Sequence, residues 1–232
     1  MDLYIASAKP EVIREAMQLG AVGVATNPSV VAEVGQPWRK VLKDVAEAFD
    51  GPFLVQVIAR DVDGIRREAG EFHNIVGNRL IVKVPMSPIA ISAMRQLQRE
   101  EFVVMITTIV TLAQGLVAAQ AGADHLGVYV GRAERAGIDP YALIRGLRQV
   151  IDRRGLATKI GVGSINDVPA LVGSALAGAD HAAPIFDVLR DAIAHNVTER
   201  SLVRFEDDWN NIPSSGDGLI SGVAAVSVAE GR

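Results

Sequence analysis

The sequence predicts the α/β class, and within it a closed (β/α)8 barrel with an additional C-terminal helix, on three observations. Eight short apolar runs recur along the chain, each followed by a segment with helical periodicity. The runs are continuously apolar rather than alternating, as parallel strands buried on both faces are. No glycine-rich phosphate loop follows the first run, where IASAKPEV contains no G-x-G, and this disfavours an open doubly wound sheet. Composition agrees. Aromatic residues are 5% of the chain against 49% hydrophobic, so Ala, Val, Ile, Leu and Gly must build the core, which suits helix-covered strands better than an aromatic-rich sandwich.

The expected strands are LYIAS (3–7), VGVATNP (22–28), PFLVQVI (52–58) and LIVKVPM (80–86), then VVMITTI (103–109), HLGVYV (125–130), KIGVGS (159–164) and HAAPI (181–185). Pro10 opens the first helix, EVIREAMQLG, with a proline in the first turn and a glycine at the end. Residues 61–71 and 87–100 are amphipathic, and Asp167 is an acidic N-cap candidate before VPAL. AGAD at 121–124 and GAD at 178–180 each precede a strand, as a helix-ending glycine would. The barrel is assigned to residues 1–195, closed by a helix over 186–194. A further helix lies within 196–212 and ends FEDDWNN. The Gly-, Ser- and Ala-rich tail over 213–232 reads as a flexible end.

Several functions are excluded or disfavoured. A net charge of −4 with no basic run speaks against nucleic acid or an anionic membrane as the main partner. The absence of cysteine removes disulfides, thiolate-metal sites and a thiol nucleophile. His73, His125, His181 and His195 show no metal-ligand spacing, so no metal is expected; His125 and His181 read as strand-start caps. Residues 102–123 carry no charge but pass from β-branched to Ala-, Gln- and Gly-rich, so they read as a strand running into a helix, not a membrane span. With no signal peptide in MDLYIASAKPEVIREAM, the expected location is the cytoplasm.

Lys83 is the outlier. It sits in the middle of LIVKVPM, where both faces of a barrel strand are buried, and a charged ammonium there is costly unless paired or deprotonated. A neutral amine attacks carbonyl carbon. A buried ion pair, or snorkelling to the strand end, is the structural alternative. Asn27, Gln56, Thr107, Tyr129 and Ser164 also interrupt apolar strands, and polar groups at C-terminal strand ends of a barrel converge on one centre. Arg132 and Ser164, at adjacent strand ends, form a candidate anion site, although taken alone Arg132 reads as a surface residue.

Taken together, LYIASA, GVATNPSVV (23–31), FLVQVIA (53–59), IVKVP (81–85), AQGLVAAQAGADHLGVYVGR (113–132), VGSI (162–165) and FEDDW (205–209) make the chain resemble the fructose-6-phosphate aldolase and short transaldolase family. The resemblance covers roughly residues 1–210 in family order. It implies a TIM barrel in which Lys83 is the Schiff-base lysine and Gln56, Thr107 and Tyr129 hold a water used in proton transfer. It places Thr26, Asn27 and Ser164 at the substrate, and Arg132 with Ser164 at the acceptor's phosphate. No cofactor or metal enters that chemistry. The implied substrates are a keto sugar and an aldehyde, phosphorylated. The FEDDW helix would pack on a neighbouring subunit in a pentamer or decamer. Family transaldolases usually carry Glu and Phe where this chain has Gln56 and Tyr129, so the resemblance favours direct aldol cleavage over transfer of a dihydroxyacetone unit.

Two positions depart from the family. L-Y-x-D-[ST] reads Leu3-Tyr4-Ile5-Ala6-Ser7 here, and Gly131 stands where the aldolases have Asn. Loss of the aspartate at position 6 predicts a pocket beside Lys83 with less negative charge and more room. It also opens an alternative, a non-catalytic ligand-binding or scaffold member of the fold.

Overall fold

Each strand of the barrel is short, and caps fix where the helices begin. The computed structural model describes residues 1–212; the expected flexible tail lies outside them. The strands are β1 (Asp2–Ile5), β2 (Gly23–Ala25), β3 (Phe53–Gln56), β4 (Leu80–Pro85), β5 (Val103–Ile109), β6 (His125–Tyr129), β7 (Lys159–Ile165) and β8 (His181–Pro184). They close in sequence order with every neighbour parallel, and β1 pairs with β8 through Asp2↔His181 and Leu3↔Ala182. All eight expected strands are present.

Eleven helices occupy the connections and the C-terminal segment among the described residues: α1 (Pro10–Gln18), α2 (Pro28–Ala32), α3 (Trp38–Ala46), α4 (Val62–Val76), α5 (Pro88–Arg99), α6 (Leu112–Gln120), α7 (Val130–Arg135), α8 (Pro140–Arg154), α9 (Val168–Leu176), α10 (Phe186–Ile193) and α11 (Asn196–Asn210). Side-chain caps recur at their starts. Asn27, Asp61, Ser87 and Asp167 each accept from the backbone N–H three residues on, and Thr111 with Gln114 forms a full capping box. Gly122 and Gly178, in the two GAD phrases, have φ of 94° and 98° and turn the chain back toward the sheet. The uncharged segment over 102–123 is β5 followed by α6, and no helix among the described residues is long and apolar enough to cross a membrane.

Alternation along the strands makes two cores. Outward residues such as Phe53, Val82, Ile106 and Leu126 pack under the helices. Inward residues form a second cluster of Tyr4, Ala25, Leu54, Ile81, Met105 and Ala183, with Ala6 packed against it. The inner positions above that layer, at the C-terminal end, are Gln56, Lys83, Thr107 and Tyr129. The compact unit Met1–Ile193 contains this barrel. α11 falls in the other unit and buries none of its own residues.

Candidate active site

Lys83 is 5% exposed, on the inner face of β4. Its Nζ donates to the carbonyl of Thr26 at 2.8 Å, where the chain leaves β2. The partner is a carbonyl rather than a carboxylate, so the ion-pair alternative does not describe this lysine. Burial, and secondarily the positive charge of Arg132, lowers its pKa from 10.5 to about 8.

Gln56, Thr107 and Tyr129 stand beside it on β3, β5 and β6. The register pairs Gln56 with Lys83, and Pro85 with Thr107. Tyr129 donates its hydroxyl to Gln56 Oε1 at 3.3 Å. Thr107 Oγ1 is wholly buried with no hydrogen-bond partner in the protein. Buried hydroxyls without partners are uncommon, and this one marks a place for a polar guest. It is accommodated because position 127 is glycine: a Cβ there would lie 2.6 Å from Thr107 Oγ1.

The anion candidates lie at adjacent strand ends, Arg132 just after β6 and Ser164 near the end of β7. Arg132, in the first turn of α7, places its guanidinium carbon 4.6 Å from the centre of the Tyr129 ring, a cation–π contact. Ser164 has φ of 59°, a left-handed conformation costly for a residue with a side chain, as has Thr108 with 63°. Both lie where the strand register shifts, Thr108 between Ile106 and Ile109 and Ser164 between Val162 and Ile165. Gly131 has a steric reason: a Cβ there would sit 2.8 Å from both Asn166 Nδ2 and the Ser164 carbonyl.

Two expected substrate residues carry structural duties as well. Thr26 is 1% exposed, and its hydroxyl donates to the Leu54 carbonyl at 3.0 Å. Asn27 Oδ1 caps α2, leaving its Nδ2 as the donor at the mouth. Asn27 and Gln56 also border a cavity of about 540 Å3 reaching between α3 and α4.

Below the lysine the barrel holds a polar contact that the sequence does not show. His125 Nδ1 and His181 Nε2 approach to 3.0 Å, and Tyr4 stacks on His181 with ring centres 4.8 Å apart. The strand starts are tied instead by the aspartates: Asp124 accepts from Val104 N and Asp180 from Ile160 N. The histidines therefore fill the barrel rather than cap it. Burial comes first among the causes that lower their pKa values, to about 4 for His125 and about 3 for His181, so both are neutral. The available signal was Gly161, where a Cβ would lie 2.2 Å from the His181 ring. No group of three or more His, Asp or Glu among the described residues is placed to hold a metal ion.

Comparison with known proteins places the chain in a family. The sequence model for transaldolase/fructose-6-phosphate aldolase matches residues 3–216. A probable transaldolase of Geobacter sulfurreducens is 35% identical over 214 residues, spanning 92% of this chain and all of that protein. A probable transaldolase of Heliobacterium modesticaldum is 36% identical over 213 residues, 91% of this chain and 99% of its own. Among solved structures, a putative phosphonomutase from Burkholderia cenocepacia superposes with a TM-score of 0.58 at 19% identity, covering 88% of this chain and 92% of that one, a likeness of fold alone. The chain belongs to the transaldolase/fructose-6-phosphate aldolase family of enzymes.

Proposed function

We propose that the protein is a class I aldolase that makes or breaks a carbon–carbon bond of a keto sugar phosphate through a Schiff base on Lys83. The observation that carries this reading is a buried lysine whose partner is a carbonyl and whose pKa is lowered to about 8. Near neutral pH a useful fraction of the amine is then uncharged and nucleophilic. It adds to the ketone carbon, and the oxygen leaves as water to give the iminium. Cleavage of the bond between the α and β carbons sends its electron pair into the iminium, forming the enamine. The β hydroxyl loses its proton and departs as an aldehyde. Protonation of the enamine carbon and hydrolysis release the ketone and restore Lys83.

Tyr129, held by Gln56, is the proton carrier in this scheme, through a water that the Thr107 hydroxyl would also bind. Asn27 Nδ2 and Ser164 face the donor's hydroxyls, whereas Thr26 acts through the carbonyl that holds Lys83. Arg132 with Ser164 takes the acceptor's phosphate. A second reading, transfer of a dihydroxyacetone unit between sugar phosphates, is favoured by the names of the relatives. Gln56 and Tyr129 favour direct cleavage.

For assembly, we infer that α11 packs on a neighbouring copy in a pentamer or decamer. Its Leu202, Phe205 and Trp209, at helical spacing, are all more than half exposed, and such apolar faces are ordinarily covered.

Incubation with a ketose phosphate and borohydride tests the central reading. A reduced adduct on Lys83, absent in Lys83→Met, is expected. An adduct on another lysine, or none with any ketone, contradicts it.

A further inference from the structure

The cavity of about 540 Å3 that runs from Asn27 and Gln56 out between α3 and α4 has the size of a small-molecule site, and the chemistry at Lys83 makes no use of it. It lies in the layer between β3 and its covering helices, outside the barrel interior. Val55, Leu42 and Phe72, all packed in the outer core, line its apolar depth. Trp38 stands edge to face against Phe72, with ring centres 5.6 Å apart, and adds an aromatic wall. The polar groups of the lining differ in how much of their capacity is spent. Glu71 is paired with Arg39 at 2.6 Å, and the Arg39 guanidinium also lies over the Trp38 ring. Glu68 Oε2 accepts from the backbone N–H of Ile58 at 2.7 Å and of Ala59 at 3.2 Å. Asn27 Oδ1 caps α2, and Gln56 Oε1 accepts from Tyr129. Much of what remains is donors: Asn27 Nδ2, Gln56 Nε2 and the guanidinium of Arg67, which has no ion-pair partner among the described residues.

We propose that this cavity is a second ligand site, distinct from the lysine pocket, which takes an aromatic monocarboxylate and regulates the barrel site through Gln56. The aromatic body fills the apolar depth, where Trp38 and Phe72 already pack edge to face and accept a third ring in the same manner. The carboxylate accepts from Arg67. One unpaired cation matches one negative charge, since Arg39 is already neutralised by Glu71. Gln56 is the wall that the cavity shares with the barrel interior. Its contact with the Tyr129 hydroxyl, at 3.3 Å, is long for a hydrogen bond between oxygens, so the amide has room to turn. An occupant in contact with that amide turns it away from Tyr129. Two distinct sites then meet at one side chain, and filling one changes the other.

The test uses the full chain and two probes of one shape, 3-phenylpropionate and its neutral amide, 3-phenylpropanamide. The chain has two tryptophans, so Trp209→Phe leaves Trp38 in the cavity wall as the sole indole reporter. Trp38 emission should change saturably with 3-phenylpropionate, and the amide should bind about tenfold more weakly. Arg67→Gln, a change at an exposed position, should bring the two affinities together. Ala32→Phe, at an exposed position on the cavity lining, should fill the space and abolish the signal. Lys83→Met should bind 3-phenylpropionate as the parent does, which makes the binding result independent of the Schiff-base reading. In turnover assays 3-phenylpropionate should lower kcat for ketose cleavage and leave KM for the ketose unchanged, an effect lost in Arg67→Gln. No saturable change in Trp38 emission, equal affinity for the amide, or binding that survives Ala32→Phe overturns the site. Loss of binding in Lys83→Met, or a raised ketose KM at constant kcat, puts the probe in the lysine pocket and overturns it as well. Binding at Trp38 with turnover unaffected overturns the regulatory role.

Discussion

The upper half of the barrel interior carries the candidate chemistry and the lower half carries none, although both hold buried ionisable groups. Above, Lys83 is isolated from any carboxylate, with a carbonyl partner and an unsatisfied Thr107 hydroxyl close by. Below, His125 and His181 satisfy each other and Tyr4 covers one ring. Both regions pay in desolvation for the charged form. The lower one settles it by a neutral pair; the upper one leaves a base and polar atoms with capacity for a ligand. Unfilled polar capacity, rather than burial, distinguishes the site.

That contrast is broken most severely at Lys83. Lys83→Met should reduce turnover to background while the barrel stays folded, measured by product formation and circular dichroism. Next, Tyr129→Phe should slow cleavage by roughly 10²–10⁴-fold, as loss of a positioned proton carrier does, yet still permit borohydride trapping at Lys83. Wild-type cleavage by that variant would put the proton relay elsewhere. Arg132→Ala should weaken phosphorylated substrates about ten- to a hundredfold more than unphosphorylated ones. It should also let the Lys83 pKa rise, since the Arg132 charge holds it down, while burial continues to depress it. Equal losses for both substrate classes would make Arg132 structural.

Stability sharpens the same comparison. The folded pKa of Lys83 lies below its unfolded value, so the unfolded chain binds the extra proton between pH 8 and 10.5. The destabilisation is therefore complete below about pH 8 and is relieved as pH rises through that window, by about 3 kcal/mol. Lys83→Met should be more stable than the parent at pH 7, with the gap closing toward pH 10.5, in urea titrations. The histidines act in the acid range. Their lowered pKa values mean that the unfolded state takes up protons first as pH falls below 6.5, so stability should drop from there toward about pH 4. His181→Gln should flatten that slope, and an unchanged slope would show that the pair is not its source.

Much of the fold was legible because parallel barrel strands are unbroken apolar runs, and much of the candidate site stood out because Gln56, Lys83, Thr107 and Tyr129 interrupt those runs. Boundaries were less so. The run over 22–28 was expected to be strand throughout, but β2 ends at Ala25 because Asn27 caps α2 and Pro28 begins it. The partner of Lys83 is a backbone carbonyl, which no residue type announces. The His125–His181 contact joins positions 56 residues apart across β7, and only Gly161 hinted at it. The left-handed backbone of Thr108 and Ser164 runs against residue preference and follows from the register shifts, which are properties of paired strands.

The most direct test of the account is the pH dependence of borohydride trapping, followed as adduct on the Lys83 peptide by mass spectrometry. The adduct should form on Lys83, and its rate should rise with pH to a plateau with a midpoint near 8, where the buried amine loses its proton. A midpoint near the ordinary lysine value of 10.5, or an adduct on a surface lysine such as Lys40 or Lys43, would contradict it.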